Sequence, residues 1–441
     1  MLAEIQPGES QEIQPSQVPV LGVRTKRQDQ APGPNIRCAH ATQRKMDNDG
    51  QSVASPFNPP PMTMPEHTWI ETPDRLSALG EAIAAAPWVA IDTEANSMFV
   101  YREQVCLLQA NVAGALFMID TLAIAKAGGS LDALKKPLEN PARTVWLHGG
   151  EYDVGTLKRD YGIALNGVWD SQQAASLLGY ERTGYGSVVE KICSVTLDKA
   201  YTHYDWGTRP IEAGALRYGL DDVVYLPQVC EALRAEVKAA DLEEEVAIAN
   251  LAVESTLWSG GFDPAGFWRI KGIRDVPRSA LPLLSALYVW RDGVARAANQ
   301  PPGRLLNNEV LLAITRNAPT NFQLLKRIGL RGWFLSAHGE SLMDTVKAAL
   351  DQPPTLPDRP RHREVLPEEE LRETRMKDWR RAEAENRTKA ENRPVPLQVV
   401  LPAKALEYLK QHGAMDLSAV PQLGGKRRDR YGAKLQELCR V

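Results

Sequence analysis

The stretch between residues 88 and 149 sets the fold class. Three short strand-like runs follow one another closely, WVAIDTE (88–94), QVCLLQANV (104–112) and ALFMID (115–120), and Ala113-Gly114 joins the last two in the manner of a hairpin turn. A helical pattern, LDALKKPLE, then leads to a buried strand, TVWLHG (144–149), followed by the helix EYDVGTLKRDYG, the segment VWDS and several helices up to about residue 240. Consecutive strands followed by alternating helix and strand imply an α/β domain with a mixed sheet. The first run is expected to lie centrally, with its end where ligands of such sheets bind.

That first run ends in Asp-Thr-Glu. Side chains alternate along a strand, so Asp92 and Glu94 share a face about 7 Å apart. Like charges this close raise each other's pKa and cost stability unless a cation joins them. Taken alone, the pair reads as well as an accident at a solvated strand end. Two further acidic positions lie in the same block. Asp153 falls one turn into the helix after TVWLHGG, where an acid also suits the positive end of the helix dipole. In LRYGLDDVVYL, Tyr218 and Asp222 are four apart and share a helix face, a relation Asp221 lacks; Tyr218 reads equally as an amphipathic core tyrosine. Together, four carboxylates and a tyrosine offer hard oxygen donors without Cys or clustered His, which points to Mg²⁺ or Mn²⁺ rather than zinc. Four carboxylates suit two such ions, which clamp the attacking and leaving oxygens of a phosphodiester displacement.

A chain of 441 residues exceeds what one core usually holds. Residues 1–66 are rich in Gln, Pro, Ser, Asn and Asp and lack periodicity, so a disordered N-terminal extension is expected there. The α/β domain covers 67–240, a helical connector broken at Gly260-Gly261 covers 241–277, and a small helical domain covers 278–350. A proline-rich, charged linker follows at 351–368, then a second helical unit at 369–441. Each helical unit carries a Trp-Arg pair before a Pro-containing turn, Trp290-Arg291 and Trp379-Arg380, a weak internal repeat. The net charge of −3 conceals an asymmetry: residues 278–441 hold 28 Lys and Arg against 19 Asp and Glu, which suits contact of the back half with a polyanion. Five scattered cysteines with no Cys-x-x-Cys argue against a disulfide framework or zinc site. The polar N-terminus has no secretory pattern, and no run reaches the roughly 18 apolar residues of a membrane helix, so a cytoplasmic location is expected. Neither a P-loop nor a Gly-x-Ser-x-Gly elbow is present.

IDTE, HGGEYD and YGLDDV resemble the three exonuclease motifs of the DEDD superfamily, in the subclass whose third motif is Tyr-x-x-x-Asp. VCLLQ, DSQQAASLLGY, TLDKAYTHYDW and Asp205-Trp206-x-x-Arg209-Pro210 are similar to the ribonuclease D family. ALYVWRDGVARAANQPP closely, and MKDWRRAEAENR loosely, resemble the helicase-and-RNase-D C-terminal (HRDC) domain. The resemblance spans residues 68–441 and implies an α/β RNase H-like exonuclease domain, a mixed sheet with flanking helices, followed by two small all-α HRDC-type domains, the second divergent. It implies a 3′–5′ exoribonuclease that acts on RNA with a single-stranded 3′ end, tRNA precursors above all, and releases 5′-mononucleotides. Asp92, Glu94 and Asp222 would hold one divalent ion, Asp92 would bridge to a second, Asp153 would support that second ion, and Tyr218 would position the attacking water. A 3′–5′ DNA exonuclease keeps the same site on another polymer. A catalytically silent nucleic-acid-binding protein is disfavoured, since all five residues are present.

Substrate contacts are read more coarsely. Asn96, Met98 and Phe99, just past Glu94, are candidates to line the 3′-terminal nucleotide, with Phe99 stacking on a base. His148, Arg291, Arg380 and the run GGKRRDRYGAK (424–434) are candidates for phosphate contacts that position the strand without reading its sequence. His148 reads better as a strand-end histidine satisfied by backbone, and the run equally as a solvated helix end. A monomer is expected.

Overall fold

The computed structural model describes residues 64–360 and 363–440; the extension expected over 1–66 lies outside these, apart from residues 64–66. Six strands form one sheet: β1 (Thr68–Ile70), β2 (Trp88–Ala95), β3 (Val105–Val112), β4 (Ala115–Ile119), β5 (Thr144–Leu147) and β6 (Val168–Asp170). Their spatial order is β1-β4-β3-β2-β5-β6. The β2/β3 and β3/β4 pairs are antiparallel, whereas β1/β4, β2/β5 and β5/β6 are parallel, so the sheet is mixed and β2 lies inside it. Ala113 and Gly114 both adopt positive φ, 49° and 102°, as a two-residue hairpin turn matching the strand twist requires. Strand β1 was not among the expected elements, because three residues are too few to show a period of two.

Nine helices belong to this part of the chain: α1 (Pro73–Ala85), α2 (Thr121–Lys126), α3 (Asp132–Leu138), α4 (Glu151–Tyr161), α5 (Ser171–Leu178), α6 (Tyr185–Cys193), α7 (Ala213–Val224), α8 (Leu226–Ala239) and α9 (Glu243–Glu254). Helix α1 buries Leu76, Leu79 and Ile83, spaced for one helical face, and with α3 and α4 it covers Val89, Ile91, Val145 and Leu147 on one side of the sheet. Helices α7 and α8 cover the other side, where Ala215, Leu220, Leu226 and Cys230 meet Leu107, Met118, Ala90 and Trp146. Helices on both faces explain why all eight residues of β3 are buried and why its sequence reads as a nearly continuous apolar run.

The remaining helices form two groups: α10 (Leu281–Ala297), α11 (Pro302–Leu305), α12 (Asn308–Asn317), α13 (Phe322–Ile328) and α14 (Gly332–Asp351), then α15 (Pro367–Glu391), α16 (Leu397–Val400), α17 (Ala403–His412) and α18 (Gly424–Cys439). The repeat seen in the sequence has a structural counterpart. In both groups a proline, Pro301 or Pro396, caps a four-residue helix that ends on a leucine in extended conformation, Leu306 or Leu401, before a ten-residue helix. Trp290 lies edge-on to Phe334 of α14, and Trp379 edge-on to Tyr431 of α18.

The two groups attach to the α/β domain differently. The first has its own core, in which Phe267, Leu284, Leu311, Phe334 and Leu342 take part, and Tyr101 packs against it from the α/β domain. The second shares one continuous core with α5, α6, α8 and α9: Met376, Val399, Leu409 and Leu435 pack with Ala174, Val188, Val229 and Val246. Among the described residues no helix is long and apolar enough to cross a membrane.

Candidate active site

Strand β2 carries Asp92 and Glu94 on the face covered by α7, alternating with Ile91 and Thr93 on the other. Its pairing with β3 becomes irregular between Glu94 and Ala95, so the chain leaves the sheet just past the second acid. Helix α7 presents Tyr218 and Asp222 one turn apart. Carboxylate oxygens of Asp92, Glu94 and Asp222 all lie within 4.8 Å of one another. Asp153 enters from the other side of the sheet, in the first turn of α4, where one of its oxygens accepts hydrogen bonds from the Thr93 amide (3.0 Å) and the Thr93 hydroxyl. The five residues line one cavity of about 260 Å³ at the end of β2, together with His148, Tyr152 and Tyr185.

A buried acid places Asp153 there. Asp170 at the end of β6 is fully buried; its oxygens accept the amides of Gly149 (3.0 Å) and Gly150 (2.8 Å) and cap α5 through Gln172 and Gln173. The Gly149-Gly150 pair makes that turn possible. Gly149 has φ of 69°, and a Cβ at Gly150 would lie 2.5 Å from the Leu147 side chain. Asp170, Tyr152 and Tyr185 were not singled out from the sequence; the VWDS segment holds the only signal for Asp170, an acid directly before a helix.

Electrostatically, the cluster is a hole waiting for positive charge. Burial first, then Asp153, Asp222 and Glu94, holds the Asp92 carboxyl well above its ordinary range. Burial and the Asp222 and Asp153 charges do the same to Glu94. Asp222 is pushed up to about 8 by burial, then by Asp221 and Asp153. Asp153 rises to about 6, burial outweighing the Thr93 hydrogen bonds. The neighbouring Asp221 turns away from the cluster and pairs with Arg217 at 2.7 Å, which separates two acids that composition alone leaves interchangeable. Tyr218 is pushed up to about 12 by burial and then by Asp222 and Glu94, so its phenol stays protonated at neutral pH.

The expected substrate contacts fare less well. Asn96 is buried and closes the loop after β2, its side chain accepting the Gln104 amide at 3.0 Å. Met98 is half exposed, and Phe99 carries the Arg304 guanidinium 4.4 Å from its ring centroid; neither lines the cavity. His148 does line it, but Nδ1 faces the Ser171 hydroxyl at 2.8 Å and burial pushes the imidazole down to about 4, so it offers no positive charge to a phosphate at neutral pH. Arg291 is 6% exposed and spends its guanidinium on the Leu306 carbonyl (2.9 Å) and Asn308 (2.8 Å). Arg380 likewise donates to the Leu397 carbonyl at 3.0 Å. Arg291 thus braces the turn after its helix instead of facing a strand, whereas Arg380 commits only its Nε to the turn that follows. Within 424–434, Arg427 is buried on the Val399 and Gln398 carbonyls, Lys426 pairs with Asp241 and Lys434 with Glu437. An arginine beside a tryptophan looks the same in sequence whether it braces or binds.

The sheet, its flanking helices and this acidic cluster define a 3′–5′ exonuclease, and residues 67–238 match the family described as 3′–5′ exonuclease, residues 280–346 the HRDC domain. The chain is 30% identical over 288 residues to ribonuclease D of Gluconacetobacter diazotrophicus, covering 65% of this chain and 72% of that protein. It is 30% identical over 309 residues to ribonuclease D of Granulibacter bethesdensis, covering 68% and 76%. The crystal structure of Escherichia coli RNase D, described as an exoribonuclease involved in structured RNA processing, superimposes with a TM-score of 0.62 at 25% identity, over 85% of this chain and 98% of that one. The chain belongs to the ribonuclease D family. It is a phosphodiester hydrolase of the 3′–5′ exoribonuclease type, of a fold that uses divalent metal ions.

Proposed function

We propose that the chain shortens RNA from its 3′ end with two divalent ions, Mg²⁺ or Mn²⁺, held by Asp92, Glu94, Asp153 and Asp222. Its substrates are RNA precursors with a single-stranded 3′ tail, tRNA trailers first among them, and its products are 5′-mononucleotides. The observation that carries this reading is the convergence of four carboxylates, each raised in pKa, with no cation among the causes of their shifts. A donor set of carboxylate oxygens alone, three of them within 4.8 Å, fits hard divalent ions. When bound, such ions supply the charge that activates a water and steadies the leaving oxygen of a phosphodiester.

The chain's own residues do the positioning. Asp92, Glu94 and Asp222 form the tight group, and Thr93 holds Asp153 so that it faces them from α4. Tyr218, protonated at neutral pH and one turn before Asp222, orients the attacking water by donating a hydrogen bond instead of removing its proton. Every one of these groups comes from one chain, so catalysis needs no second copy.

The test is degradation of a 5′-labelled RNA hairpin with a 3′ tail, and of its DNA counterpart, with Mg²⁺, with Mn²⁺ and with EDTA, by wild type and Asp92→Asn. A ladder shortening from the 3′ end of RNA only, dependent on the ion and lost in the variant, is expected. Equal shortening of DNA would overturn the choice of polymer, and no shortening of either would overturn the enzymatic reading of the site.

A further inference from the structure

We propose that Tyr152 is a stacking platform for a base of the RNA strand at the catalytic cavity, with Trp258 and Arg159 as its supports; this rests on the exoribonuclease reading above. Tyr152 stands next to Asp153 in the first turn of α4, lines the cavity and is 40% exposed. Neither Tyr152 nor Trp258 belongs to a hydrophobic core. An aromatic ring left at the mouth of a polar cavity gives up the burial that usually explains such residues.

The ring is nevertheless fixed. Its hydroxyl donates to Glu103 at 3.2 Å, and Glu103 also pairs with Arg159 at 2.7 Å. Trp258 meets Tyr152 edge-on, ring centroids 6.0 Å apart. Trp258 comes from the segment after α9, 106 positions further along the chain. The Arg159 guanidinium lies 4.3 Å from the centroid of its ring. On the chain's own side the turn closes under the indole at Gly260, where a Cβ would lie 2.4 Å from ring atoms. Lys158 donates to the Thr256 carbonyl at 3.2 Å and ties the same segment to α4. A connector thus bends back to wedge a tryptophan against a tyrosine whose hydroxyl is already engaged, which leaves the ring face as what Tyr152 offers.

A ring face suits this enzyme. Every base has a π-face, so stacking on an aromatic holds single-stranded RNA whatever its sequence, and a side chain already fixed loses little freedom on binding. An enzyme that removes successive nucleotides needs that tolerance.

The test compares full-length wild type, Tyr152→Leu, Tyr152→Phe and Trp258→Leu on a tailed RNA and on three versions with a single abasic site at each of the last three positions, reading KM and kcat separately, with melting temperature as the folding control. Tyr152→Leu is expected to raise KM roughly tenfold to hundredfold and to lower kcat by much less. Tyr152→Phe keeps the ring and stays near the wild-type KM. In wild type, one abasic position carries a comparable penalty, and that penalty shrinks in Tyr152→Leu because the partner is already gone. A folded Tyr152→Leu with KM within twofold of wild type, or abasic penalties unchanged by the substitution, would overturn the platform while leaving the exoribonuclease intact. If Tyr152→Leu does not fold, the wild-type abasic series and Trp258→Leu decide: no position-specific penalty and no rise in KM overturn it. A wild type inactive on RNA overturns the underlying reading and the platform with it.

Discussion

Replacing Asp222 by Asn should make the metal-free enzyme more stable and inactive at once. Asp222 shares its cavity with three other acids, and burial followed by Asp221 and Asp153 pushes it up to about 8, against about 3.9 for an aspartate in an unfolded chain. An acid raised in this way contributes stability that is present below the unfolded value and is lost as pH rises through the folded one. The whole gap corresponds to on the order of 5 kcal/mol once the acid is ionised. The cavity opens to solvent and its acids share protons, so we take roughly half, about 2–4 kcal/mol at pH 9. In a domain of this size that is on the order of 5–10 °C in Tm. Asparagine has the shape of the protonated acid, so the variant should melt higher than wild type in EDTA at pH 9 and nearly together with it at pH 5. Adding Mg²⁺ or Mn²⁺ should reverse the order, because an ion that binds only the native state stabilises it by mass action and the variant has lost a ligand. Melting curves in EDTA and in each metal at pH 5, 7 and 9, beside RNA degradation, decide the matter. A variant no more stable than wild type at pH 9, or equally stabilised at pH 5 and 9, would refute the account of the cluster as acids held ready for metal.

Three other substitutions or cuts separate the roles assigned above. Tyr218→Phe should lower kcat by roughly a hundredfold or more with KM and Tm nearly unchanged, measured by steady-state degradation of a tailed RNA. Arg291→Ala leaves the Leu306 carbonyl and Asn308 without their donor and should destabilise the first helical group by about 2–3 kcal/mol, seen in denaturant unfolding, while RNA affinity by filter binding barely moves. Ending the chain before α15 should give an aggregating protein on size-exclusion chromatography, because it strips Val188, Val229 and Val246 of the core they share with Met376, Val399 and Leu409; a monodisperse, active truncation would show that the shared core is dispensable.

The parts of the site that could be read from the sequence are those whose geometry is local. Asp92 and Glu94 share a face because a strand has period two, and Tyr218 and Asp222 because a helix brings every fourth residue round. In the structure Asp222 joins Asp92 and Glu94, while Asp221 is paired with Arg217. The contacts that hold these pieces in register were not legible. Thr93 fixes Asp153 across sixty positions, and Asp170 props the turn before Asp153 from a different strand. Nothing in either stretch marks its partner. The role of Arg291 was not legible for a related reason: it sits in a pattern that exposes one helix face, and only the course of the following turn shows that the Leu306 carbonyl and Asn308 take up its buried guanidinium.

The same distinction explains how the helical groups meet the catalytic domain. Their resemblance to each other follows from a local device, a proline-capped turn between two helices, and so it appears in the sequence as a repeat. Their different attachments follow from surfaces that only the fold assembles. The second merges with α5, α8 and α9 into one core. The first keeps its own core and reaches the catalytic domain through the loop that follows Glu94: Tyr101 donates to Asp292 at 2.7 Å, and Asn299 accepts the Arg102 amide at 3.1 Å. Glu103 at the far end of the same loop is held by Arg159 and Tyr152 on α4. The loop is thus anchored at one end to the first helical group and at the other to the helix that carries Asp153, so its shape at the mouth of the cavity is expected to depend on both anchors. Tyr101→Phe, which removes the hydroxyl that donates to Asp292 and accepts from Arg296, together worth on the order of 1–2 kcal/mol, should therefore lower kcat/KM for tailed RNA more than it lowers Tm; an unchanged kcat/KM in a folded variant would show that the loop keeps its shape without the helical group.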